Sequence, residues 1–193
     1  GAEATMMYIH WGVEYNYNSA NDEQKKIAQE LCDMGIDVIV GGHPHVVQPM
    51  ALLTSTTDPE HKTVCLYSMG NALSNQRIAE MNLKTGHTED GVLFSVTFSK
   101  YSDGTVILES ADLLPTWVFL GTSPVTGEWE YNILPLDRQV DDWKPRFDMT
   151  DAALVNAEAS YDRTMAIVGE GMETVESYLK ENIQAVEKAL GVK

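Results

Sequence analysis

The chain has 193 residues and 44% apolar content, which suits one cored domain, with or without an appendage. Its 13 basic against 29 acidic residues leave a net charge of −16, which argues against nucleic acid and against an anionic membrane surface as partners. No apolar run approaches the ~18–20 residues needed to cross a bilayer.

The opening Gly1-Ala2-Glu3-Ala4 carries no charged-then-apolar leader and runs at once into an apolar stretch, so it reads as a fragment boundary. Met6–Ile9 is predicted as a short buried strand. His10-Trp11-Gly12-Val13-Glu14-Tyr15 follows at its end, where Gly12 suggests a turn or a close backbone approach. Glu14 is a candidate to orient an imidazole, and equally an ordinary solvated glutamate. Asn18–Glu23 is a polar loop with capping residues and early acids. Gln24–Met34 then reads as a helix with Ile27, Ala28, Leu31 and Met34 on one face, stopped by Gly35.

Ile36–Val40 is an apolar, β-branched run expected to be a buried strand. Strand, helix, strand over residues 6–40 is a βαβ unit, so the two strands should be parallel neighbours. Gly41-Gly42-His43-Pro44-His45 follows. The glycines are expected to turn the chain, and Pro44 to hold His43 extended, so that His43 and His45 share a face. An isolated His-x-His is more commonly a loop pair satisfied by water. Its place after a strand, and the βαβ unit that brings His10 to the same sheet edge, point instead to a metal site.

Met50–Leu53 and Thr63–Tyr67 are short strands about a turn, Thr54–Lys62, in which His61 is read as solvated. Asn71, after Ser68-Met69-Gly70, either bonds near the site or caps a turn. Ser74–Asp90 is polar, with His87 also read as solvated. Gly91–Lys100 alternates cleanly, Ser102-Asp103-Gly104 is a hairpin signal, and Thr105–Leu113 returns. Thr116–Leu120 and Glu128–Leu134 are further strands, with Trp117 and Trp129 expected to pack in the core or on a sheet. Arg138–Phe147 reads as a connecting loop. Thr150-Asp151 caps a helix to about Val168, Gly169-Glu170-Gly171 is expected to break it, and a second helix runs to Leu190, the pair packing on the domain or on a partner. Cys32 and Cys65 read as buried free thiols, with a disulfide left open. These elements make a mixed α/β (α+β) fold, divided into a domain over residues 1–136 and a linker with a helical extension over 137–193.

Three motifs in order carry a resemblance: His10–Tyr15, Gly41–Pro49 and Tyr67-Ser68-Met69-Gly70-Asn71. With Pro115-Thr116-Trp117-Val118 and Leu134-Pro135-Leu136, they resemble the C-terminal part of the CapA family, linked to poly-γ-glutamate capsule synthesis and to the calcineurin-like metallophosphatase superfamily. The resemblance implies a two-sheet sandwich flanked by helices, with metal ligands at His10, His43 and His45. It implies a catalytic part for His10 and Glu14, and a binding part for Asn71. It further implies divalent ions of the Zn, Mn or Fe class, an anionic polymer or phosphoester substrate, and a cell-surface or extracellular place reached through an anchoring segment upstream. The superfamily's early Asp and Asn-His motifs have no counterpart in the nine residues before His10. The ligand set is therefore expected to be incomplete in this chain, with an oligomer or a partner N-terminal half completing it. The alternative is a non-catalytic assembly component of a polymer-synthesis system.

Overall fold

A computed structural model of the protein describes residues 2–123, 125–137 and 140–191. Strand β1 (Met6–His10), helix α1 (Asp22–Asp33) and strand β2 (Val38–Gly42) form the expected βαβ unit. β1 and β2 are parallel neighbours in a register that sets His10 beside Gly42. Asn21 caps α1 in a reciprocal box with Gln24, and Gly35, at φ +87°, ends it. Strands β3 (Val47–Thr54) and β4 (Lys62–Met69) complete a four-stranded sheet of order β1-β2-β4-β3. β1, β2 and β4 are parallel and β3 is an antiparallel edge. Among the described residues the other edge is β1, whose Met6 and Tyr8 are 55% and 61% exposed.

The second sheet is antiparallel, β5 (Asp90–Lys100), β6 (Val106–Thr122) and β7 (Trp129–Pro135), in that order. Before it lie a short helix α2 (Ile78–Met81) and a 3₁₀ turn (His87–Glu89). The two expected strands Thr105–Leu113 and Thr116–Leu120 are one strand. Pro115 does not divide them, because its carbonyl accepts from Leu136 N–H at the end of β7, so its missing donor falls where the ladder stops. The sheets meet at an isolated bridge between Gly70 and Gly91. A Cβ on Gly91 would overlap the Asn71 carbonyl oxygen, so the crossing requires glycine.

Helix α3 (Val140–Arg146) occupies most of the stretch read as a connecting loop; residues 138 and 139 lie outside the described residues. Its fully buried Trp143 packs with Trp117, Leu136 and Ala157 in one apolar cluster, and that burial outweighs the cost of Pro145 in the last turn. Trp129, expected to pack, is instead 74% exposed on the outer strand β7. Cys32 and Cys65 are both buried and free, on either side of the contact between α1 and the first sheet. No helix of the described residues is long and apolar enough to cross a membrane.

The fold is thus the expected mixed α/β, two-sheet sandwich flanked by helices, with a further correction at its C-terminal end. α4 (Asp151–Leu190) is a single 40-residue helix, unbroken at Gly169–Gly171. It packs through Val168, Val175 and Leu179 on Met50, Val64 and Leu66 of the first sheet and Val92 and Leu113 of the second. Gly171 belongs to that contact, since a Cβ there would overlap the Met50 carbonyl oxygen. A second tie is polar. The buried Asp90 carboxylate accepts from Ser160 Oγ at 2.6 Å, from Arg163 Nε at 2.9 Å and from Arg163 Nη2 at 2.7 Å, all from α4.

The two helix glycines should therefore respond in opposite ways. Gly171→Ala is expected to cost about 2–3 kcal/mol, because the backbone of β3 must move. Gly169→Ala, whose Cβ would meet only the flexible end of Met165 at 3.9 Å, should stabilise by about 0.5–1 kcal/mol. Urea unfolding of the two variants checks this, and equal effects would show that Gly171 is not a packing residue.

Candidate metal centre

The parallel register of β1 and β2 ends both strands at one sheet edge. There the His10 and His43 rings lie 4.4 Å apart, centre to centre, and tilted by 41°. The His43 and His45 rings are 6.2 Å apart. The route differs from the expected one. Gly41 and Gly42 do not turn the chain but end β2 as strand residues. A Cβ on Gly41 would overlap the Tyr67 carbonyl oxygen and the Trp11 indole nitrogen, and one on Gly42 would overlap the Tyr8 hydroxyl. The turn lies at the histidines, with φ +99° at His43 and +60° at His45. His43 is therefore not extended, despite Pro44. A backbone bond from Tyr15 N–H to the Pro44 carbonyl, 2.8 Å, ties this turn to the loop after β1. Two non-glycine residues in the left-handed region cost on the order of 1–3 kcal/mol each, and such positions cluster at functional sites.

The loop after β1 is anchored from below. Trp11 Nε1 donates to the Tyr67 carbonyl at 2.8 Å. The fully buried Gln24 donates to Gln48 at 2.7 Å, and Gln48 donates to the Asn16 carbonyl at 2.6 Å. Gln24 was legible in the sequence only as a helix-start residue. Its second contact, through Gln48 of the His-Pro-His segment, carries no local signal.

His45 is the best-positioned imidazole. Its Nδ1 lies 3.0 Å from Asn71 Oδ1. Asn71 Nδ2 faces three acceptors, the carbonyls of His45 (3.2 Å) and Thr88 (2.9 Å) and Gln76 Oε1 (3.0 Å). An amide nitrogen only donates, so this surrounding fixes Oδ1 toward His45. His45 Nδ1 then carries the hydrogen, and Nε2 of the neutral ring is left with its lone pair. Nε2 lies 3.8 Å from Glu14 Oε1, both side chains being over a third exposed, so a charged pair there adds little stability. The Tyr15 ring stacks on His45 at 6.2 Å. Asn71, read as either a site or a turn residue, thus touches His45 directly. Gln76 and Thr88, which hold it, were not singled out by the sequence because they lie in an irregular polar segment.

The residues proposed as ligands are therefore neighbours, and their imidazole donors suit a divalent ion of the Zn, Mn or Fe class. Among the described residues, however, no three His, Cys, Asp or Glu side chains are arranged to hold a metal ion together. The donor chemistry fits, as a partial set without a bridging carboxylate.

The other two histidines differ from their solvated reading. His61 is half-buried, with Nε2 3.2 Å from the Ile36 carbonyl. His87 stacks on Tyr17 at 3.6 Å, and its Nδ1 is buried without a hydrogen-bond partner among the described residues. Burial, aided by the Arg163 charge, lowers its pKa from 6.5 to about 4. A lowered histidine pKa means that the unfolded chain binds the extra proton first as pH falls. The stability from neutral His87 is complete above pH 6.5 and is lost toward pH 4. His87→Phe keeps a ring against Tyr17 but cannot titrate. Its unfolding free energy should fall less steeply between pH 6.5 and 4, by up to about 1 kcal/mol per pH unit. Denaturant titrations at several pH values measure the difference, and parallel slopes would place His87 in contact with water.

Comparison with known proteins agrees with the order of the motifs. The family model for bacterial capsule synthesis protein PGA_cap matches residues 1–76, which include His10, Glu14, His43, His45 and Asn71. The PGA biosynthesis protein CapA of Bacillus subtilis (strain 168) is 39% identical over 75 residues, covering 39% of this chain and 18% of that protein. The capsule biosynthesis protein CapA of Bacillus anthracis is 31% identical over 132 residues, covering 68% of this chain and 27% of that protein. The chain thus spans about a fifth to a quarter of the length of these relatives, and over that span it belongs to the CapA family of bacterial capsule synthesis proteins.

Proposed function

We propose that this chain supplies the imidazole half of a metallophosphatase-type, metal-dependent hydrolase site in a capsule (poly-γ-glutamate) biosynthesis protein of the cell surface. The observation that carries the reading is His45. Its Nδ1–H is held by Asn71, which leaves Nε2 with its lone pair, and the His43 ring, itself against His10, lies 6.2 Å from it centre to centre, at the ends of two parallel strands. A hydrogen bond at one ring nitrogen that presents the other is how ligating imidazoles are generally oriented. His10, His43 and His45 would contribute their imidazoles to a larger ligand set for a divalent ion, which when bound supplies Lewis acidity and a water of lowered pKa.

The chain's own residues do the positioning. Asn71 sets the His45 tautomer, and Tyr15 limits the swing of the ring. Glu14, 3.8 Å from Nε2, is the nearest carboxylate and would accept a proton released at that nitrogen's side of the site. The substrate class is an anionic polymer or a phosphoester. With a net charge of −16, the protein needs a local cation to receive either one. The missing acidic ligands would come from a further segment or a partner copy, and an anchoring segment would place the site at the surface.

A second reading, a non-catalytic assembly component, is favoured by the direct ring contact between His10 and His43, which is also how two histidines pack for structure alone. Two measurements separate the readings. His43→Ala with His45→Ala should weaken Mn²⁺ or Zn²⁺ binding to this chain at least ten-fold in calorimetry, with the melting temperature little changed. Placed in the full-length protein in a capsule-producing cell, the same pair should abolish polymer formation at normal protein level. Unchanged metal binding overturns the metal site. Normal polymer with lost metal binding overturns the hydrolase and leaves the assembly component.

A further inference from the structure

α4 outruns the core that it packs on. Its last deeply buried residue is Leu179, 4% exposed, and eleven more residues follow in the helix. Along these turns Ile183, Val186 and Leu190 stay half-buried while Glu181, Gln184, Ala185 and Lys188 are exposed. Leu179, Ile183, Val186 and Leu190 are spaced by four, three and four residues, the seam of a coiled coil. This seam borders a groove of about 780 Å³ between α4 and strand β6, with Met172, Leu179 and Ile183 on one wall and Ala111 and Leu113 on the other. β7 pairs only with Thr116–Thr122, so the β6 wall, Glu109–Leu113, has no strand partner on that side.

We propose that this seam is a homodimer interface, in which α4 of a second copy lies antiparallel against residues 179–190. The occupant follows from self-complementarity. In an antiparallel pair centred between Gln184 and Ala185, Leu179 faces Leu190 of the partner subunit, and Ile183 faces Val186 of the partner subunit. The positions flanking the seam on the groove side are Lys180 and Glu187, both of which line the groove. In this register Lys180 meets Glu187 of the partner subunit, and Glu187 meets Lys180 of the partner subunit, so one arrangement makes two opposite-charge pairs. Neither residue is in an ion pair within the described residues. A parallel arrangement would set Lys180 against Val175 and Glu187 against Asn182, with no charge pair.

The contact spans about three turns and is smaller than a standard stable interface, so the dimer is weak and concentration-dependent, in the micromolar range or weaker. Sedimentation equilibrium of the 193-residue chain, from about 5 to 500 µM, reads it directly. Lys180→Glu alone and Glu187→Lys alone each turn two attractions into two repulsions and should weaken association about ten-fold. The double swap restores both pairs and should return association to near the starting value. Ile183→Asp should leave a monomer, and because Ile183 lies beyond the core, circular dichroism and the melt should stay close to those of the parent. A chain monomeric throughout this range overturns the proposal. So does a dimer indifferent to the single swaps, or a double swap that fails to restore association; either would put another partner in the groove.

Discussion

The parallel pairing of β1 with β2 is the constraint on which the site depends. Parallel strands point their C-terminal ends the same way, and this register puts His10 level with Gly42, one residue before His43. No loop closure then has to be assembled to bring the two imidazoles together, because backbone hydrogen bonds already do so. The other features near the site refine that placement. Gly41 and Gly42 let Trp11, Tyr8 and the Tyr67 carbonyl approach β2 closely, and Asn71, two residues past the end of β4, arrives beside His45 by the same sheet.

What was legible in the sequence was what local chemistry decides. The order and pairing of the βαβ unit were read correctly because an amphipathic helix, its capping residues and its terminal glycine all act within a few residues of one another, but β1, expected to be buried, and Met34, expected on the helix's apolar face, are exposed. Most strand ends were placed to within about two residues, although β3 begins three residues earlier than expected and β6 joins two expected strands, and the meeting of His10 with His43 followed from the topology of the βαβ unit alone. The ordered motifs reached further than the physics of any one of them, since none of the three is distinctive by itself.

What was not legible depended on residues far away in the chain. Gly169-Glu170-Gly171 has the composition of a helix break. Gly171 is there because Met50, some 120 residues earlier, presses its carbonyl against the helix, and no local propensity records that. Pro44 biases its predecessor toward extended backbone, but the bond from Tyr15 to the Pro44 carbonyl and the close packing around Gly42 settle a tight turn instead. His87 looks like a loop histidine until Tyr17, 70 residues away, stacks on it. Pro115 lies between two stretches expected as separate strands, yet its lost donor falls where the ladder with β7 ends anyway.

The tie between Asp90 and α4 has a consequence for the chain as a cooperative unit. The Asp90 side chain is gripped by Ser160 and Arg163, while its backbone carbonyl accepts from Asn71 N–H at 3.3 Å. Asn71 in turn fixes the His45 ring. The Arg163 guanidinium of the C-terminal helix is thus three contacts from the His45 imidazole, and every link is a hydrogen bond. Fraying of the helix between residues 160 and 163 and loosening of the histidine cluster would then be one opening event rather than two, with a shared free energy. The helix, although remote in sequence from the motifs, is thereby tied to the histidine cluster.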